Sequence, residues 1–156
     1  MPHVPTRDFG TVDYEPSAEL YFPRGLPGFE GHNRFVLMEH EQQAPIVFLQ
    51  SLTTPELCFL TVSVWAVDPG YQVGIAGDDL ETLGLNRQPQ PADDFLCLSI
   101  LAAKEDGTFT ANLLAPVIVN RDTRVGLQAI RADARYSHCH PVLAGGTPDA
   151  EATPCL

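Results

Sequence analysis

A chain of 156 residues has the length of one domain and buries roughly two thirds of the surface it exposes when unfolded, so it needs no disulfide or metal to hold a core. Twenty acidic residues stand against nine basic ones, a net charge of −11, and this excludes direct binding to nucleic acid or an anionic membrane, both of which call for basic patches. The imbalance is uneven: between Arg34 and Arg87 no Lys or Arg occurs, whereas Glu39, Glu41, Glu56, Asp68, Asp78, Asp79 and Glu81 do, a field suited to a neutral or basic partner if it does more than keep the chain soluble.

Residues 1–19 are polar and punctuated by Pro, and read as a flexible N-terminal segment. The opening "MPHVPTRDFG" lacks the basic and apolar regions of a secretory signal, no apolar run approaches the ~20 residues that span a bilayer, and the four scattered cysteines read as reduced thiols, so a cytoplasmic location is expected. Residues 20–144 read as the folded domain. Its first motif, "FPRGLPGFEGHNRF" from Phe22 to Phe35, keeps four large apolar side chains among its Gly and Pro, which a solvated linker would not need. It has neither the Lys nor the following helix of a phosphate cradle. Leu26 and Phe29 in a Pro/Gly-shaped turn fit a buried anchor closing one end of a barrel, or an exposed recognition loop, and the two are compatible.

Next come short apolar runs with β character: "RFVLMEH", "IVFLQSL" and the longer "LCFLTVSVWAV" from Leu57 to Val67. Asp78 to Leu83, with Asp at its start and Gly84 after its end, predicts one or two helical turns. "FLCLSILAAKEDGTFTANLLAPVIVN" predicts a hairpin whose Asp106-Gly107 pair supplies the positive φ angles of a primed turn. Leu96, Leu98, Ile100 and Ala102 share one face of its first strand, and Phe109, Ala111 and Leu113 share a face of the second; both faces are expected to meet the core. "VGLQAIRA" alternates as a strand, and the tail from 145 to 156, small, polar and acidic, reads as disordered. Many short strands, minimal helix and no βαβ alternation predict a mostly β, single antiparallel barrel-like domain.

Catalytic chemistry finds little footing. Cys58 and Cys97 lie within apolar runs and read as buried hydrophobes rather than nucleophiles. The Asp78-Asp79 doublet is adjacent in sequence, which does not make two carboxylates converge on a substrate. His138 and His140 in "SHCHP" would share a face of an extended strand and could chelate a metal, the basis for a rival reading as a small metal-dependent hydrolase, but no companion cluster has ligand spacing. No cofactor and no enzymatic activity are expected. Asn112, an amide between apolar neighbours, either satisfies backbone groups at a strand end or faces a partner, and Pro116 marks an edge or strand end.

"GLPGFEG" at Gly25–Gly31, "FLQSL" at Phe48–Leu52, "ANLLAPVIVN" at Ala111–Asn120 and "GLQAI" at Gly126–Ile130 occur in the order and spacing of the FliW family of bacterial flagellar assembly factors, and "DPGYQVGIAGDDLETLGL" resembles that family's acidic middle region. The resemblance spans Phe22 to Ile130; Trp65 and Ala66 stand where the family turns earlier, and no motif is recognised after Tyr136. It implies a small antiparallel barrel-like domain without catalysis that binds CsrA, a basic dimeric RNA-binding repressor of translation, as an allosteric antagonist, and that also binds flagellin. Export of flagellin would then free the protein to relieve repression by CsrA. The alternative within this resemblance is an export chaperone for flagellin that ignores CsrA. The residues expected to serve partner binding are Leu26, Phe29, Glu30, Asp78, Asp79, Asn112, Leu113 and Pro116.

Overall fold

The apolar runs become strands that close on one another. The computed structural model describes residues 2–142 apart from Asp8, Pro91, Ala132 and Ala134. In chain order the strands are β1 (His3–Thr6), β2 (Gly10–Asp13), β3 (Leu20–Tyr21), β4 (Arg34–Glu39), β5 (Val47–Ser51), β6 (Cys58–Ser63), β7 (Phe95–Ala103), β8 (Phe109–Ala111), β9 (Val117–Asn120), β10 (Val125–Gln128) and β11 (His140–Val142), with short helices α1 (Val64–Val67) and α2 (Gly77–Leu83) between β6 and β7. Seven of the strands form a ring in the order β3, β4, β5, β6, β7, β9, β10 and back to β3. Its neighbours are antiparallel except β10 and β3, which meet in parallel at Val125 and Tyr21. The expected mostly β barrel with little helix is therefore the fold. Among the described residues no helix is long and apolar enough to cross a membrane.

Alternation along the strands separates two cores. Inside the ring lie Leu20, Phe22, Leu26, Phe35, Leu49, Leu98, Val117 and Val119. Phe22 and Phe35 are fully buried and meet edge to face at 5.2 Å. Gly126 of β10 leaves room for that packing: a Cβ there would stand 2.6 Å from the Phe22 ring. Outside the ring, Phe95, Cys97, Ile118 and Leu127 are covered by Val64 of α1, by Tyr71 and Ile75, and by Leu83 of α2. Both faces of β7 are thus buried. Leu96, Leu98 and Ile100 pack with the inner core as expected, whereas Ala102 is exposed where β7 runs past the barrel to pair with β8.

Three local expectations are corrected. The run from Leu57 to Val67 is not one strand, because Ser63 caps a helical turn, its hydroxyl accepting from the Trp65 N–H at 3.3 Å, while the Trp65 indole donates to the Tyr71 carbonyl at 3.1 Å. Tertiary anchoring of Trp65 thereby overrides the β propensity of its neighbours. In the turn between β7 and β8 only Gly107 has positive φ, +86°, and its N–H donates to the Lys104 carbonyl. That is a type I turn ending in a left-handed glycine, not a primed turn. The second arm of the predicted hairpin is two strands, β8 and β9, separated by a corner at 112–116.

The helix predicted over Asp78–Leu83 is α2, closed by Gly84 at φ +75° with its N–H on the Leu80 and Glu81 carbonyls. Within the first nineteen residues, read from the sequence as flexible, β1 and β2 form a hairpin. It lies against the outer face of the barrel, where the Phe9 ring meets Phe48 at 4.9 Å, and Val4 is buried. The acidic tail over 145–156 lies outside the described residues.

Candidate functional site

The motif loop between β3 and β4 is closed at its base by two bonds. The Phe22 N–H donates to the Asn33 carbonyl and the Asn33 side-chain amide donates to the Phe22 carbonyl, each at 2.7 Å. Gly25 sits at φ +63°, where a Cβ would come 2.6 Å from the Phe29 carbonyl oxygen, so nothing larger fits. Leu26-Pro27-Gly28-Phe29 is a β-turn: the Phe29 N–H donates to the Leu26 carbonyl at 2.7 Å and Gly28, with φ +86°, takes the third position of a type II turn behind Pro. Leu26 enters the inner core at 1% exposure, while Phe29 stays 38% exposed. Leu26 is thus the buried anchor, and Phe29 is the exposed side chain of the same turn. Phe29 is also continuous with the interior, since its ring meets Phe59 at 5.4 Å, Phe59 meets Phe35 at 6.3 Å and Phe35 meets Phe22. Glu30 is exposed beside it.

The corner at 112–116 is scaffold. The Asn112 side-chain oxygen accepts from the Leu114 N–H at 3.1 Å and the Ala115 N–H at 2.9 Å, which decides the open question about this amide in favour of backbone satisfaction. Leu113 is 1% exposed and its carbonyl accepts the Tyr71 hydroxyl at 2.8 Å. Pro116 is buried at the entry to β9, a strand end as expected. Leu26, Leu113 and Pro116, expected among the residues that serve a partner, are therefore closed to contact in this structure; they shape what lies above them. By strand direction the motif loop, the 52–57 turn and this corner all leave the barrel at one end.

The acidic helix is tied to that end by a residue the sequence reading passed over. Arg24, within the motif loop, pairs with Asp79 at 2.6 Å and donates to the Thr82 hydroxyl at 2.8 Å. Asp79 is thus occupied and largely covered, while Asp78 is exposed. Arg24 was visible as the one cation inside "FPRGLPG", but nothing in the sequence gave it a partner 55 positions on.

A second missed cluster holds the outer layer in place. Arg131 lies over the Tyr71 and Tyr136 rings at 5.7 and 4.9 Å, chelates Asp133 and donates to the Gln72 carbonyl. Its charge, through hydrogen bonding, holds the Asp133 carboxyl below its usual range. Burial pushes the Tyr71 hydroxyl up to about 12 and the Cys97 thiol up to about 12, the nearby Arg131 opposing both. Cys97 is a buried free thiol, and Cys58 is half-buried. Cys139 lies in a surface turn and not in an apolar strand. His138 is in that turn and His140 in β11, so the pair does not share one strand face as supposed. Among the described residues no three His, Cys, Asp or Glu are grouped to hold a metal ion.

Fold and surface together define a class: a small closed β-barrel with a buttressed surface loop at one end and an acidic helix clamped to it. The family model described as "FliW protein" matches residues 3–142, running past Tyr136, where no motif was recognised. The flagellar assembly factor FliW of Desulfitobacterium hafniense (strain Y51) is 34% identical over 136 residues, covering 87% of this chain and 88% of that one. The flagellar assembly factor FliW of Moorella thermoacetica is 32% identical over 152 residues, covering 97% and 94%. A crystal structure of the flagellar assembly factor FliW superposes with a TM-score of 0.80 at 27% identity, over 94% of this chain and all of that one. The chain belongs to the FliW family of flagellar assembly factors.

Proposed function

We propose that this protein is a non-enzymatic, cytoplasmic assembly factor that binds the translational repressor CsrA as an allosteric antagonist and binds flagellin, coupling flagellin synthesis to filament growth. The observation that carries the reading is the family match across nearly all the described chain. Two features support it. The span from Arg34 to Arg87 has no Lys or Arg between its ends, which favours encounter with a basic protein. The half-exposed Phe29, fixed by a rigid turn and backed by core aromatics, has the character of an interface anchor that loses little entropy on binding.

Size-exclusion chromatography of the protein with CsrA from the same organism, repeated with flagellin added, tests this directly. A complex with CsrA that flagellin dissolves is the expected result. A complex with flagellin alone would replace the reading with that of an export chaperone, and binding to neither partner would overturn it.

A further inference from the structure

Between the barrel wall and the β8–β11 pair lies a cleft of about 350 Å³ that shares no lining residue with the motif loop or α2. Val62 of β6 and Leu101 of β7 form part of its floor, and Ile46, Val67 of α1, Phe109 and Val142 stand around it. Val62 is buried, but the other five are only partly covered, so the cleft leaves apolar surface facing solvent where most of this fold's apolar surface is paired. Its volume is at the low end of ordinary ligand clefts, room for one or two large side chains.

The surrounding charge selects the occupant. Two walls, residues 42–46 and 62–67, lie in the span without Lys or Arg, with the exposed Glu41 adjoining Gln42 and Asp68 adjoining Val67. Lys104 is the one Lys or Arg within three positions of any lining residue. A second copy of this chain, itself at −11, would bring like charge to this rim. Strand addition at β11 is also disfavoured, because Pro141 takes one N–H out of a three-residue edge strand. We propose that the cleft docks a large apolar side chain presented by a basic partner, with Lys or Arg on either side of it to meet the Glu41 and Asp68 rim. This rests on the proposed function, in which the basic partner is CsrA, and it assigns CsrA a surface separate from Phe29.

The test uses the full chain and isothermal titration calorimetry against CsrA and, separately, flagellin. Ala66, exposed on α1 and lining the cleft, is changed to Trp to fill it, and Glu41 is changed to Lys to reverse the rim. The expected result is CsrA affinity about tenfold lower or worse for Ala66→Trp, a smaller loss for Glu41→Lys, and flagellin affinity unchanged for both. Thermal melting confirms that each variant is folded; if Ala66→Trp is not, Glu41→Lys alone decides. CsrA affinity within about twofold of the parent overturns the cleft while leaving the proposed function standing. Equal losses for both partners overturn it as well. A parent chain that fails to bind CsrA at all removes the CsrA half of the proposed function, and the cleft assignment with it.

Discussion

A Leu-Pro-Gly-Phe turn sends its first and last side chains to different environments, because Pro27 and Gly28 reverse the chain within two residues. Leu26 is thereby a core residue and Phe29 a rim residue, and truncation separates them. Leu26→Ala removes a side chain that is 1% exposed and leaves a cavity in the inner core, so it is expected to cost about 2–5 kcal/mol of folding stability. Phe29→Ala gives up edge-to-face contacts with Phe59 and His32 and partial burial, expected at about 1–2 kcal/mol, while weakening partner binding at least as much. Urea denaturation of both variants measures the first pair of values. Equal losses would place Phe29 in the core and remove it as an anchor. Leu26 was legible as an anchor because Pro and Gly around an isolated Leu demand a shaped turn. The need for Gly126 was not legible, since it arises from the Phe22 ring, a residue 104 positions away whose placement only the closed barrel determines.

At the scale of elements, α1, α2 and the segment between them form a lid over one outer flank of the barrel, and two acids are buried uncharged where they meet: Cys97 of β7 beneath the lid and Tyr71 on its inner side. Burial raises the Cys97 thiol from its ordinary 9.0 to about 12 and Tyr71 from 10.0 to about 12. An unfolded chain gives up these protons at the ordinary values while the folded chain keeps them. Stability from their burial is therefore complete below about pH 9 and is lost as pH rises towards about 12. Denaturant midpoints are expected to hold steady from neutral pH to about 8.5 and to fall above about 9. Cys97→Ala should delay the onset towards the ordinary tyrosine value and make the fall shallower. An unchanged profile would mean that the thiol ionises alike in both states and that the lid is not closed over it. The lid was half legible: α2 showed itself through acids at its start and Gly84 at its end, signals confined to neighbouring residues. α1 did not, because "LCFLTVSVWAV" has the composition of a strand and is turned by the Ser63 cap and by the reach of the Trp65 indole to Tyr71. The corner at 112–116 was legible as two alternatives for Asn112, because the two N–H groups that it satisfies are brought to it only by the fold of the corner. Arg131 was missed for a similar reason, since it is a cation whose aromatic partners come from two separate segments.

For the whole molecule, the distribution of charge matters more than any single pair. Among the described residues, Arg24, Arg34, Arg87 and Arg121 at the surface and the buried Arg131 are each engaged by a carboxylate, so much of the positive charge is locally cancelled and the surplus acids are left to set the far field. The exposed pairs contribute little stability individually, and a field of this kind acts mainly on the rate of encounter. Association with a basic partner should therefore slow by about tenfold or more when ionic strength rises from about 0.05 M to about 1 M, over which the screening length shrinks to about 3 Å. Dissociation, governed by short-range contacts at the cleft, should change far less. Stopped-flow kinetics across a salt series measures both rates. A salt-independent association rate would mean that the span between Arg34 and Arg87 does not steer the encounter, and its acids would then be left with solubility as their role. A dissociation rate rising as steeply as association falls would mean that the contacts themselves are ionic, and the apolar anchors would lose their place in the complex.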